Sequence, residues 1–291
     1  MKTKILLAAV SAFCLLPSAF GQGVLTPPGA PAPTMKTLDQ IEARTPISSA
    51  PFTITNSGSY YLTTNLTVSS GDAITITTNG VTLDLGGFTI ASTAASAAGY
   101  AIYLNGGFRD LTILNGHIRG GVTNNGSGVY GGPGFGYGIF SYGNSPVNTR
   151  VSGVSVSGCL FYGIYLSFGD GTVVESCTVR TVGVYGIWAS TIKSSVAIDC
   201  GNHAMIGDQV SDCRGQCSGS GYGLNTLTAQ NCYGYSNGSG GAYGVYAVDI
   251  ATGCSGVCSG GTGLYAFIAN GCRGRTSIGT ALTTSHNVNS F

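Results

Sequence analysis

The chain has 291 residues, of which Lys and Arg number 12 and Asp and Glu 11, so charged residues make up only 8%. A net charge of +1 gives no electrostatic case for a nucleic-acid or acidic-lipid partner. Glycine is abundant at 48 residues, yet 43% of the chain is hydrophobic and 10% aromatic, a balance that excludes a disordered linker and, without strict spacing of glycine at every third residue, collagen.

Lys2 and Lys4 precede an apolar run from Ile5 to Leu16, followed by Pro17 and the small-residue site Ala19-Phe20-Gly21. This is the layout of a secretory signal peptide, so residues 1–21 are expected to be cleaved near Gly21 and the mature chain to be secreted or held in the periplasm or at the cell surface. The run is too short to cross a bilayer, and no later segment is apolar for the length needed, so no transmembrane segment is expected. Bulky Phe13 before Cys14 argues against lipid attachment there. Residues 22–34, with Pro27 to Pro33, read as a Pro-rich linker. Residues 35–71 read as an N-terminal cap and first strands, with Met35 to Arg44 a short amphipathic helix that covers the first coil's exposed edge.

From Asp72 to residue 291 one motif recurs: Tyr100-Ala-Ile-Tyr, Tyr137-Gly-Ile-Phe, Tyr162-Gly-Ile-Tyr, Tyr185-Gly-Ile-Trp, His203-Ala-Met-Ile, Tyr222-Gly-Leu-Asn, Tyr243-Gly-Val-Tyr, Thr262-Gly-Leu-Tyr and Thr280-Ala-Leu-Thr. Its starts lie 37, 25, 23, 18, 19, 21, 19 and 18 residues apart. A second column, Cys177, Ser195, Cys213, Cys232, Cys254 and Cys272, keeps the same period with steps of 18, 18, 19, 22 and 18. Units this short, with brief strands and glycine corners, cannot bury an inner face alone and are stable only when stacked. The expected fold is all-β, a right-handed parallel β-helix of roughly ten coils. Alternation then turns Ile164, Ile187, Met205, Leu224, Val245 and Leu264 inward, along with Val179 and the cysteine column.

Gly58-Ser-Tyr-Tyr-Leu, Gly71-Asp-Ala-Ile-Thr-Ile, Gly80-Val-Thr-Leu-Asp-Leu-Gly-Gly-Phe-Thr-Ile and Asn115-Gly-His-Ile-Arg-Gly resemble the opening coils of secreted bacterial right-handed β-helix proteins of the pectate-lyase-like superfamily. The resemblance covers about residues 35 to 291 and implies the fold; the superfamily holds lyases, hydrolases, epimerases, adhesins and members without assigned activity, so it implies no single reaction.

Calcium-dependent lyases and hydrolases of that kind need several carboxylates on one face. The repeat register sets Asp199 between Thr181 and Cys217, Asp208 between Ser190 and Leu227, and Asp212 between Ser194 and Asn231, so no two carboxylates share a column in adjacent coils. Glu175 falls on Lys193, an ordinary surface pair. No metal or cofactor is implied. The enzyme alternative is a metal-independent uronan lyase or epimerase, in which a base removes a proton α to a carboxylate and a cation stabilises the developing charge. His117 and Arg119 point outward from one strand, Arg180 follows two coils on in the column of Arg119, and the glycine- and aromatic-rich insertion Gly121 to Gly136 stands beside them.

The preferred reading is non-catalytic binding of extracellular polysaccharide, or presentation at the cell surface. Tyr103, Phe140, Tyr165 and Trp188, then after a gap at Ile206 and Asn225 the pair Tyr246 and Tyr265, form an outward aromatic stripe on which sugar rings can pack. The same stripe also stabilises a sheet without any ligand, which leaves a purely structural surface protein as a third reading. Removal of the signal peptide leaves nine cysteines in a compartment that permits disulfides, and burial as small hydrophobes is the expected role over metal ligation.

Overall fold

The computed structural model describes residues 43–141, 143 and 145–291, so the segments expected to be a signal peptide and a Pro-rich linker, and all but the last residues of the expected cap helix, lie outside the described residues. The chain from Arg44 to Phe291 is a parallel β-solenoid of about 11 turns, with no helix among the described residues. Each turn lays down a strand on each of three faces. On the first face Thr45–Ile47 pairs with Gly58–Leu62, and the column runs through Val81–Asp84 and Val173–Glu175 to Leu282–Val288. The second face runs from Leu66–Val68 through Thr178–Val182 to Arg273–Thr276. The third runs from Phe52–Ile54 through Tyr162–Tyr165 and Tyr185–Trp188 to the start of Leu282–Val288. Among the described residues parallel pairing thus begins at Thr45, inside the segment expected to hold the cap and first strands.

The interior is the predicted one. Ile164, Ile187, Met205, Leu224, Val245 and Leu264 are fully buried and stack in one column. Between the first and second faces the chain bends through a single left-handed residue per turn: Ser176, Ser194, Asp212 and Asn231 have φ of 53°, 48°, 54° and 51°, and Gly253 and Gly271 take over at 61° and 59°. Asn, Asp and Gly tolerate this region best, which is why polar and glycine residues recur there.

The residue after each bend carries the cysteine column, and its chemistry differs from the plain hydrophobic role expected. Cys213 Sγ donates to the carbonyl of Ser211 at 3.0 Å, Cys232 Sγ to that of Gln230 at 3.0 Å, and Ser195 Oγ to that of Lys193 at 2.8 Å. The same atoms accept from the rung before: Cys177 N–H reaches Ser195 Oγ at 3.1 Å, Cys254 N–H reaches Cys272 Sγ at 3.4 Å, and Cys272 N–H reaches Ser290 Oγ at 2.9 Å. The position therefore selects a small side chain with one proton and a lone pair, and both Ser and Cys occupy it. All nine cysteines of residues 43–291 are free and buried. Burial pushes the Cys159 thiol up to about 12 and that of Cys177 up to about 11, so they stay protonated at neutral pH.

Candidate functional site: an aromatic ladder on the third face

Strict alternation would place Tyr162 and Tyr165, three residues apart, on opposite faces. The structure instead leaves both partly exposed and buries Gly163 and Ile164 between them. A side chain at Gly163 would run into Val179 and the carbonyl of Gly186, so the inner surface accepts only hydrogen there. The small residue at the second motif position lets the first and fourth both turn outward. Two aromatic columns result: Tyr100, Tyr137, Tyr162, Tyr185, His203, Tyr222 and Tyr243, beside Tyr103, Phe140, Tyr165, Trp188, Tyr246 and Tyr265. The first column was visible in the sequence as the leading Tyr of the motif, but the assumption of strict alternation hid where it pointed.

The rings stack on one another along and across the columns. Tyr100 and Tyr103 lie 4.4 Å apart at 14°, Tyr162 and Tyr185 5.1 Å at 7°, Phe140 and Tyr165 5.0 Å at 27°, and Tyr246 and Tyr265 4.9 Å at 15°. Such pairs contribute roughly 0.5–1.5 kcal/mol each beyond area burial. Near-parallel stacking turns ring faces toward neighbouring rings and edges toward solvent. Phe140, expected to be exposed, is only 7% accessible. Within the stacks the surface is thus a ridge of ring edges tipped with phenols rather than a flat platform of faces. Among the described residues, the hydroxyls of Tyr137, Tyr162, Tyr165, Tyr185, Tyr222, Tyr243, Tyr246 and Tyr265 donate to no protein group. Burial raises the phenol pKa of Tyr137, Tyr162 and Tyr222, which keeps them hydrogen-bond donors well above neutral pH.

Besides Phe140, two ladder members depart from the phenol pattern. His203 lies parallel to Tyr185 at 5.6 Å and edge-on to Tyr222 at 4.6 Å. Its Nδ1 accepts the backbone N–H of Tyr222 at 2.9 Å, and burial lowers its pKa to about 4. That hydrogen bond assigns the proton of the neutral ring to Nε2. Trp188 meets Tyr165, Phe168 and Tyr185 at 65°, 68° and 77°, and its buried indole Nε1 has no hydrogen-bond acceptor.

The alternative residues sit on the second face. His117 pairs in register with Thr89 and Ser155, while Arg119, Ser157 and Arg180 follow in one column, which sets the two guanidinium-bearing residues about 10 Å apart along the axis. All three candidates are exposed. The insertion Gly121 to Gly136 does stand beside this column, as a small antiparallel hairpin of Thr123–Asn124 and Tyr130–Gly131. It is clamped by Asp199, whose Oδ1 accepts from Asn124 Nδ2 at 2.7 Å, Tyr130 OH at 2.9 Å and Ser218 Oγ at 3.1 Å, while its Oδ2 accepts from Thr181 Oγ1 at 2.8 Å. Burial works against the Asp199 charge, but the hydrogen bonds from Asn124, Thr181, Tyr130 and Ser218 outweigh it and hold the carboxyl below its ordinary value. The expected stacking of Asp199 over Cys217 is corrected here: Ala197 pairs with Gly215 but Cys200 with Cys217, so the strand carries one extra residue and Asp199 is turned out to the hairpin. The expected contact of Glu175 with Lys193 forms at 3.4 Å, and Arg150 joins it at 3.3 Å.

The site that stands out in the geometry is therefore the aromatic ladder, confined to one face and free of metal-ligand clusters among the described residues. No family model matches the chain, and no curated protein matches it either.

Proposed function

We propose that the chain is an exported, non-catalytic β-solenoid that binds extracellular polysaccharide along its third face. The observation that carries the reading is the ladder itself, two adjacent columns of aromatic edges repeated at the rung spacing of the solenoid, in which the phenol hydroxyls of Tyr137, Tyr162, Tyr165, Tyr185, Tyr222, Tyr243, Tyr246 and Tyr265 have no protein acceptor among the described residues. A sugar chain lying along the ridge meets apolar C–H surface and hydroxyl donors in alternation, which suits its own alternation of C–H and O–H groups. The signal-peptide layout of residues 1–21 and the resemblance to secreted β-helix proteins support an extracellular setting. On the second face, His117, Arg119 and Arg180 lie exposed on a strand surface, a poor setting for the desolvated proton abstraction a lyase performs.

The test is co-sedimentation of the purified mature protein with a panel of insoluble glycans, run beside an absorbance assay for unsaturated uronate product. Retention without product, lost on replacing Tyr165 and Trp188 by Ala together, supports the reading. Product that disappears with His117→Ala or Arg119→Ala would replace it with the lyase. No retention and no product would leave a structural surface protein.

A further inference from the structure

The second aromatic column is interrupted for two rungs, where Trp188, Ile206, Asn225 and Tyr246 follow one another in register. At the rung spacing of ~4.8 Å the bordering rings are about 14 Å apart along the axis. Tyr246 is stacked by Tyr265 and met at a tilt by Tyr222 at 44° and Tyr243 at 57°, and Trp188 has only edge-on neighbours. The rings that border the interruption thus each keep a face that no parallel ring covers.

Ile206 floors the interruption and is only 5% exposed, while Asn225 is partly exposed and its amide has no protein partner among the described residues. A primary amide offers two donors and one acceptor, the set that pairs with vicinal hydroxyls. In the first column, on the rung of Ile206, His203 is a neutral ring with its proton on Nε2, its charged form suppressed by burial. The corner bordering this face carries carboxylates, Asp208 and Asp249, while the arginines of the neighbouring coils, Arg180 and Arg214 among them, belong to the second face.

We infer that the interruption at Ile206 and Asn225 is the subsite that selects the glycan, and that the glycan it takes is an uncharged hexose or pentose polymer rather than a uronan. The inference rests on the polysaccharide-binding reading and adds the sugar class and the recognising residues. A sugar ring lies over Ile206 between Trp188 and Tyr246, pairs its hydroxyls with the Asn225 amide and meets the carboxylates of Asp208 and Asp249 at the bordering corner rather than the cations an acidic sugar would need.

The experiment is isothermal titration of the full mature chain with cellohexaose, mannohexaose, xylohexaose and hexagalacturonate. The decisive variant is Asn225→Tyr, which fills the interruption with the residue the column carries at neighbouring rungs and so preserves the fold. Asn225→Ala removes the amide and leaves the space. The expected result is binding of at least one uncharged hexamer, weakened about tenfold or more in both variants. Uncharged binding that Asn225→Tyr and Asn225→Ala leave unchanged would overturn the subsite while the polysaccharide reading stands. Hexagalacturonate bound as tightly as the uncharged hexamers would overturn the sugar class. Failure of the unmutated protein to bind any of the four, with no retention on insoluble glycan, would remove the reading beneath both.

Discussion

His203 makes the stability of this solenoid depend on pH in a window where an all-phenol ladder would be indifferent. Its folded pKa is lowered from 6.5 to about 4 by burial between Tyr185 and Tyr222. The unfolded chain takes up this proton near 6.5 and the folded chain only near 4, so stability is fully present above pH 6.5 and falls as pH drops from 6.5 toward 4. At pH 4.5 the difference amounts to about 2.5 kcal/mol, a large share of a typical domain's stability. Asp199 has the same sign, but its lowered pKa moves its contribution below the ordinary carboxylate value of 3.8, outside this window. The assay is urea unfolding at pH 7.0 and 4.5, comparing the unmutated chain with His203→Asn. Asn keeps an acceptor for the Tyr222 N–H but does not titrate. The unmutated protein should lose about 2.5 kcal/mol more than the variant between the two pH values. Equal losses would refute the assignment of His203 as a buried neutral ring.

In the cysteine column, Cys232→Ser should cost no more than about 1 kcal/mol, because Ser195 already fills an equivalent rung, whereas Cys232→Leu should overpack the corner and cost about 1–3 kcal/mol by chemical denaturation. Native protein should react slowly with a thiol reagent at neutral pH and release all nine buried thiols of residues 43–291 only on unfolding. Asp199→Ala should free the Thr123–Gly131 hairpin, seen as faster amide exchange and new proteolytic cleavage around Asn125 to Val129, while the remaining solenoid keeps its circular dichroism. Gly201→Ala places a methyl against the carbonyl of Gly183 beneath the Tyr130 ring and should lower the unfolding midpoint by an amount equivalent to about 2 kcal/mol or more.

Much of the architecture was legible because a solenoid writes its geometry into a repeat. The period fixed the stacking, the Ile column fixed which side faced inward, and Ile164, Ile187 and Leu264 are buried as their spacing requires. Three features were not legible. Two outward positions per strand arise because Gly163 and its equivalents let the backbone depart from simple alternation, and a two-residue period does not contain that departure. The Asp199 bulge shifts the register by one residue, which constant spacing cannot reveal. The cysteines read as small apolar groups, while their hydrogen bonds depend on the left-handed residue before each one, and only the occurrence of Ser195 in the column hinted at them. In the candidate site, the gap at Ile206 and Asn225 was visible from the start, but its meaning rests on ring orientations, which no sequence pattern gives.

The most direct test of the account uses Trp188, the single tryptophan of the chain, which lies in the ladder at the border of the interruption. Its fluorescence should shift saturably when soluble polysaccharide is titrated into the mature protein, with the midpoint moved to higher concentration by Asn225→Tyr. A spectrum that stays constant across the glycan panel, in a protein shown by its melting transition to be folded, would contradict binding along the third face.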